Sequence, residues 1–219
     1  MKIYGAFASP YVARIVMALR AKGVDAPLAA PIGGGIKSPE FLALNPMGKM
    51  PVLDDQGFAV AESGVILEYL EDAGGGKSLL PKDARGRANA RTVARVADLY
   101  LMAQTGGFFR NMNPAKRNQT EVDASVTGTK NALKYLEHYT NAQGPYLCGK
   151  DLTIADCTVL PSLIMCSQFI WPAFGMTDPL GEAPRLARWT VMMQADPQWG
   201  PFCKEYADAF GAFIATIRG

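Results

Sequence analysis

Strand character in this chain is confined to the first third. From Arg85 onward no segment reads as a strand, and helical periodicities run over 85–110, 120–141, 153–170, 183–195 and 199–217. The first third alternates instead. Lys2 to Ala6 reads as a strand and Pro10 to Lys22 as a helix, with Val12, Ile15, Val16 and Leu19 at helical spacing. Pro27 to Pro31 reads as a further strand, and "GGGIKSPEFLALNPMGK" as loop with one short helical piece. "MPVLDDQGFAVAESG" holds two strands around an Asp-Gln-Gly turn, and Ser63 to Asp72 is a helix with Val65, Ile66, Tyr69 and Leu70 on one face. A β-α-β unit followed by a hairpin and a helix is a compact α/β domain, placed at 1–77. "GGGKSLLPKDARG" is a linker in which Gly74 to Gly76 stop the helix, and an all-α domain follows over 85–219.

The linker's "GGGKS" does not make a phosphate-binding loop. That pattern needs a glycine where Glu71 stands, and it follows a strand rather than a helix. "LTIADCTVL" is a helix start: Thr153 caps, Asp156 closes the capping box, and Leu152 and Cys157 form the hydrophobic staple. Asp156 is thereby assigned to structure.

Composition narrows the chemistry. A formal net charge of +2 is too small for nucleic acid or an anionic membrane to be the main partner. No apolar run reaches the length of a membrane span, and the start lacks the layout of a signal peptide, so a cytoplasmic protein is expected. Cys148, Cys157, Cys166 and Cys203 include no CxxC pair, which disfavours a redox dithiol and a zinc ribbon; they read as small buried hydrophobes, and no metal is expected. His138 is the one histidine and lies in an amphipathic stretch without a nucleophile elbow, so triad hydrolysis is disfavoured.

Three junctions in the α/β half remain. Ser9-Pro10 opens the first helix, where Ser9 either caps or offers its hydroxyl, beside the positive helix end, to an anionic ligand. Met50-Pro51 precedes a strand and is a candidate cis peptide whose Met50 backbone would pair with an extended, peptide-like ligand. Glu62-Ser63 sits at a strand-to-helix junction, where Ser63 caps the helix and offers its hydroxyl and N–H to a carboxylate, and Glu62 meets an ammonium. Lys37 and Lys49 are cations flanking the same region.

In order and spacing, "ASPYVAR", "NPMGKMPVL", "ESGVILEYL", the linker and "LTIAD" resemble the cytosolic glutathione S-transferase superfamily, across both domains. The resemblance implies a thioredoxin-like N-terminal domain followed by an all-helical domain, commonly as a homodimer. It also implies glutathione as co-substrate: Met50 would pair with the cysteinyl part, Glu62 and Ser63 with the γ-glutamyl ammonium and carboxylate, and Lys37 and Lys49 with the glycine carboxylate. Ser9 resembles the catalytic serine of the serine-type classes. Tyr4, inside the first strand, is read as packing. No cysteine lies near the first helix, against the cysteine-type classes, and the Ser-Ser-Cys of the zeta-class isomerases is here Ala8-Ser9-Pro10.

A hydroxyl donating to sulfur beside a helix N-terminus favours the thiolate, which is the nucleophile. The second substrate is expected to be a small apolar electrophile, walled by Phe7 and Tyr11 and by Met102, Phe108, Phe109 and Phe169 from the helical half. A glutathione-dependent isomerase, a thiolytic ether- or thioether-cleaving enzyme, and a non-catalytic binding relative are the alternatives.

Overall fold

A computed structural model describes residues 1–73, 75–140 and 143–218. Gly74, assigned above to the helix stop, and Asn141, at the end of the 120–141 run, lie outside the described residues. The chain divides into two compact units, Met1–Leu80 and Pro81–Gly219.

The first unit is built on a four-stranded sheet of order β2-β1-β3-β4, formed by β1 (Lys2–Tyr4), β2 (Leu28–Ala29), β3 (Val52–Asp55) and β4 (Phe58–Ala61). β1 pairs parallel with β2 and antiparallel with β3, and β3 pairs antiparallel with β4. The expected turn joins β3 to β4, with Gln56 at φ 55° and Gly57 at φ 94°, the two positive values of the hairpin turn that matches strand twist. Two strands are shorter than expected. β1 ends at Tyr4, where Gly5 starts the loop, and β2 keeps only Leu28–Ala29, because the prolines at either end have no N–H for a ladder.

Alternation along the strands gives the sheet two faces. Tyr4 and Val52 pack with Phe41 of α2 (Pro39–Leu44). Their neighbours Ile3 and Leu53, both wholly buried, point the opposite way. α1 (Pro10–Lys22) and α3 (Ser63–Asp72) pack on each other, with α3 against β3 and β4, and both helices have the residues expected. The end of this unit is tied down by a buried ion pair. Lys22 Nζ lies 2.6 Å from Glu71 Oε1 and donates to the Lys77 carbonyl at 3.1 Å, while Glu71 also accepts from the Ser78 hydroxyl and the Leu79 N–H.

The second unit is helical. α4 (Ala84–Val96) runs through a π-helical turn at Ala97–Leu101 into α5 (Met102–Arg110). α6 (Gln119–Tyr139) follows, after a short 3-10 turn at Pro114–Lys116 that the periodicity did not indicate. α7 (Ile154–Met165) continues through a second π-helical turn, Cys166–Ile170, into α8 (Trp171–Ala173); α9 (Pro184–Ala195) and α10 (Trp199–Arg218) complete it. Among the described residues its only strand-like pairing is the isolated bridge Tyr146–Gly149.

α7 corrects one expectation. Ile154–Ala173 is 20 residues of mean hydropathy 1.4, long and apolar enough to cross a membrane by composition. Its most apolar window is 83% buried inside the protein, and α4 and α10 pack on α7, so the run serves as core. The capping box forms as read: the Thr153 N–H donates to Asp156 Oδ2 at 2.8 Å, and the Thr153 hydroxyl oxygen accepts from Ala155 N–H. Asp156 also accepts from the Leu147 N–H and from Trp189 Nε1, so one buried carboxylate fixes three segments.

Candidate active site

The candidate residues gather through strand register. Tyr4 pairs with Ala29 on one side and Val52 on the other, and Val52 pairs with Ala61. These four residues form one row across the sheet. The loops that leave beyond the row carry Gly5–Ser9, Met50-Pro51, Glu62-Ser63 and, after β2, Lys37. A one-residue slip in any pairing would flip the buried set to the wrong face, so the hydrophobic pattern fixes this convergence.

Ser9 occupies the cap position of α1 with extended backbone (φ −75°, ψ 127°), yet its side chain makes no cap hydrogen bond. The capping reading is therefore corrected. Its carbonyl takes the Val12 and Ala13 N–H groups, which fixes the residue without using the hydroxyl. Ser9 is half-buried at the positive end of a 13-residue helix.

Met50-Pro51 is cis. Met50 Sδ accepts from the Ala6 N–H at 3.2 Å, which joins the Met50 loop to the loop leading to Ser9. Gly5 is required there: a Cβ on it would stand 2.6 Å from Val12 and 3.6 Å from the Met50 side chain. Among the described residues neither the N–H nor the carbonyl of Met50 makes a backbone hydrogen bond. The loop is pinned by Asn45, a residue given no role above. Asn45 is buried, donates through Nδ2 to the Lys49 carbonyl at 2.7 Å, and accepts from the Met47 N–H at 3.1 Å. The Asn-Pro pair ending α2 was its signal in the sequence.

Glu62, not Ser63, is the cap residue of α3, and Ser63 is the first helical residue. Glu62 is exposed and held at φ 65°, a conformation that costs on the order of 1–3 kcal/mol and persists where its surroundings impose it. Ser63 is buried, and its N–H is one of the first-turn donors that the helix leaves unbonded. Lys37 and Lys49 are exposed. Lys37 Nζ comes within 2.8 Å of where a Cβ on Gly48 would stand, which places it beside the Met50 loop.

Phe7 and Tyr11 lie in the same unit under guanidinium groups, Arg20 at 5.9 Å from the Phe7 ring and Arg14 at 5.0 Å from Tyr11. Arg14 is wholly buried, a feature the sequence reading passed over. The helical-half candidates divide. Phe109 and Phe169 are half-buried, Phe169 packing on Phe210 with centroids 5.1 Å apart. Met102 and Phe108 are corrected to packing positions, 5% and 1% exposed. Tyr4 is core, as read, and His138 is an exposed residue edge-on to Tyr139. Among the described residues no group of three or more His, Cys, Asp or Glu side chains is placed to hold a metal ion.

Comparison with known proteins places this geometry. Residues 3–78 match the model of the glutathione S-transferase N-terminal domain, and residues 98–197 that of the glutathione S-transferase C-terminal domain. Glutathione S-transferase U1 of Arabidopsis thaliana is 30% identical over 198 residues, covering 86% of this chain and 82% of the relative. The chain belongs to the glutathione S-transferase family. The solved structure of the Tau class transferase MiGSTU from mango, Mangifera indica, superimposes on this transferase with a TM-score of 0.79 at 26% identity, over 100% of this chain and 98% of the other. A maleylacetoacetate isomerase from Methylobacterium extorquens AM1, solved with bound malonate and GSH, matches at TM-score 0.72 and 27% identity, over 94% and 97%. The thioredoxin-like unit followed by a helical unit is the family's fold.

Proposed function

We propose that this transferase activates glutathione at the sheet-edge row and transfers it to small apolar electrophiles. The observation that carries this is the Ser9 hydroxyl: it sits at a helix N-terminus, uncommitted to capping, on a loop bonded to the Met50 loop. Ser9 donates to the sulfur and stabilises S⁻ where it forms, without taking the proton. The Met50 backbone pairs with the cysteinyl peptide groups. Glu62 meets the γ-glutamyl ammonium, the Ser63 hydroxyl and N–H meet its carboxylate, and Lys37 and Lys49 meet the glycine carboxylate. No metal takes part.

Within the first unit, Phe7 and Tyr11 are the aromatic side chains we assign to the second substrate. We assign the protein to the cytoplasm as a homodimer that removes reactive electrophiles, with neither nucleic acid nor membrane as partner. Support for the dimer comes from large apolar side chains left in solvent, Phe58 at 61% and Val65 at 55% exposure in the first unit and Leu99 at 54% in the second.

The test is thiolate absorbance of the glutathione complex against pH. In Ser9→Ala the bound thiol's pKa rises toward that of a free thiol, about 8.5, and the turnover loss is greatest near neutral pH. Superimposable titrations of variant and wild type reject the role. Isomerisation is the second reading, favoured by the isomerase among the structural neighbours. An electrophile panel with products identified by mass separates them: conjugates indicate transfer, mass-neutral products isomerisation, and released phenols or thiols cleavage.

A further inference from the structure

The turn that carries Ser9 is held at both ends by backbone hydrogen bonds. Where the chain leaves β1, the Gly5 N–H donates to the Ala29 carbonyl of β2 at 2.9 Å. The Ser9 N–H donates to the Ala6 carbonyl at 2.9 Å and closes a four-residue turn over Ala6–Ser9. The Ser9 carbonyl accepts from the Val12 and Ala13 N–H groups at 3.0 and 2.9 Å, which joins the turn to α1. The Ala6 N–H leads elsewhere. It donates to Met50 Sδ at 3.2 Å, across 44 positions of sequence.

A thioether is a weak acceptor, so this bond depends on close placement. The placement is built in on both sides. Gly5 lets the turn approach, since a Cβ on it would stand 2.6 Å from Val12 and 3.6 Å from the Met50 Cβ. On the other side, buried Asn45 holds the Lys49 carbonyl at 2.7 Å, one residue before Met50. Met50 therefore faces two ways. Its backbone is assigned to the cysteinyl part of glutathione, and its side chain reaches the turn whose hydroxyl is assigned to the sulfur of that same cysteinyl group.

We infer that Met50 is a positioning residue: through the bond from Ala6 to Sδ, its side chain sets where the Ser9 hydroxyl stands relative to the Met50 backbone. This rests on the reading of Ser9 as the thiolate stabiliser. A hydroxyl stabilises a developing charge most where it is held in place beforehand. A shift of the turn weakens the bond to sulfur while leaving intact the groups that bind the rest of the tripeptide.

Met50→Leu tests this in the full-length protein, because it keeps the backbone and nearly the volume and removes the acceptor. In the ligand-free protein, amide hydrogen exchange followed by NMR should speed at Ala6 and Ser9 and stay unchanged at Gly5, which is bonded to the sheet. In the glutathione complex, thiolate absorbance against pH should place the thiol's pKa above that in wild type by roughly half a unit, the effect of a weakened hydrogen bond. Calorimetry with S-methylglutathione, which has no thiol to ionise, should give an affinity within about twofold of wild type, because the backbone contacts stay. In a Ser9→Ala background Met50→Leu should move the thiol's pKa no further, since no hydroxyl is left to place. Should Ser9→Ala alone leave that pKa at the wild-type value, the thiolate reading fails, and faster exchange at Ser9 in Met50→Leu still supports Met50 as the residue that holds the turn. Unchanged exchange at both amides overturns the inference. So does a wild-type thiol pKa in Met50→Leu where Ser9→Ala raises it, or an equal rise with and without the Ser9 hydroxyl.

Discussion

Ser9 occupies a cap position without capping, and that separates two effects usually entangled in one mutation. A bonded serine cap is worth typically about 1 kcal/mol. Here no side-chain cap bond exists to lose, so Ser9→Ala should leave the denaturant midpoint nearly where it is while activity falls. A stability loss as large as that of an ordinary cap, with activity following the folded fraction, would return Ser9 to a structural role. Glu62 presents the converse case, an exposed residue whose backbone is held in a costly conformation. Glu62→Ala should weaken glutathione binding about ten- to a hundredfold, the range of one charge-assisted contact. Isothermal calorimetry that shows unchanged affinity would remove Glu62 from the site. Both residues were visible in the sequence because strand-to-helix junctions are marked locally. Asn45 was passed over because its two hydrogen bonds involve residues two and four positions along the chain, a loop geometry that no periodicity encodes.

At the scale of elements, the buried pair Lys22–Glu71 joins the last turn of α1, the end of α3 and the segment after it. Burial alone would raise the Glu71 pKa. Hydrogen bonds from Lys22, Ser78 and the Leu79 N–H, with the Lys22 charge, outweigh it and hold the carboxyl below its ordinary value. The sign follows from linkage. A carboxylate depressed by folding contributes stability that is complete above its unfolded pKa and is lost as pH falls through the folded one. The first unit's resistance to denaturant should therefore fall as pH drops below about 4.5, the ordinary value for the group, and Glu71→Gln should flatten that part of the profile. The same variant leaves Lys22 buried without its counter-charge, a loss of about 3–5 kcal/mol for pairs of this kind. A Glu71→Gln protein as stable as wild type at neutral pH would show that the pair is not what ties these elements. Helix starts and stops such as Pro10, Ser63 and the Thr153–Asp156 box were legible, because capping chemistry is settled within four residues. The π-helical turns were not, because a single wide turn leaves the 3.6-residue pattern nearly intact.

For the whole molecule, light scattering at micromolar concentration without glutathione should give twice the mass of one chain; a single-chain mass would refute the homodimer. The sequence by itself determined the division into an α/β part and a helical part, the helix that follows Ser9, the hairpin at Gln56-Gly57 and the motif set that marks the family. Each of these rests on patterns a few residues long, where side-chain periodicity and cap chemistry act directly. Only the tertiary structure decided the rest. It brought Ala29, Tyr4, Val52 and Ala61 into one row, buried Met102 and Phe108, turned a helix apolar enough for a membrane into core, and laid Arg117 on Phe174. Register, burial and cross-element stacking depend on which distant segments pack together, and local spacing carries no information about that.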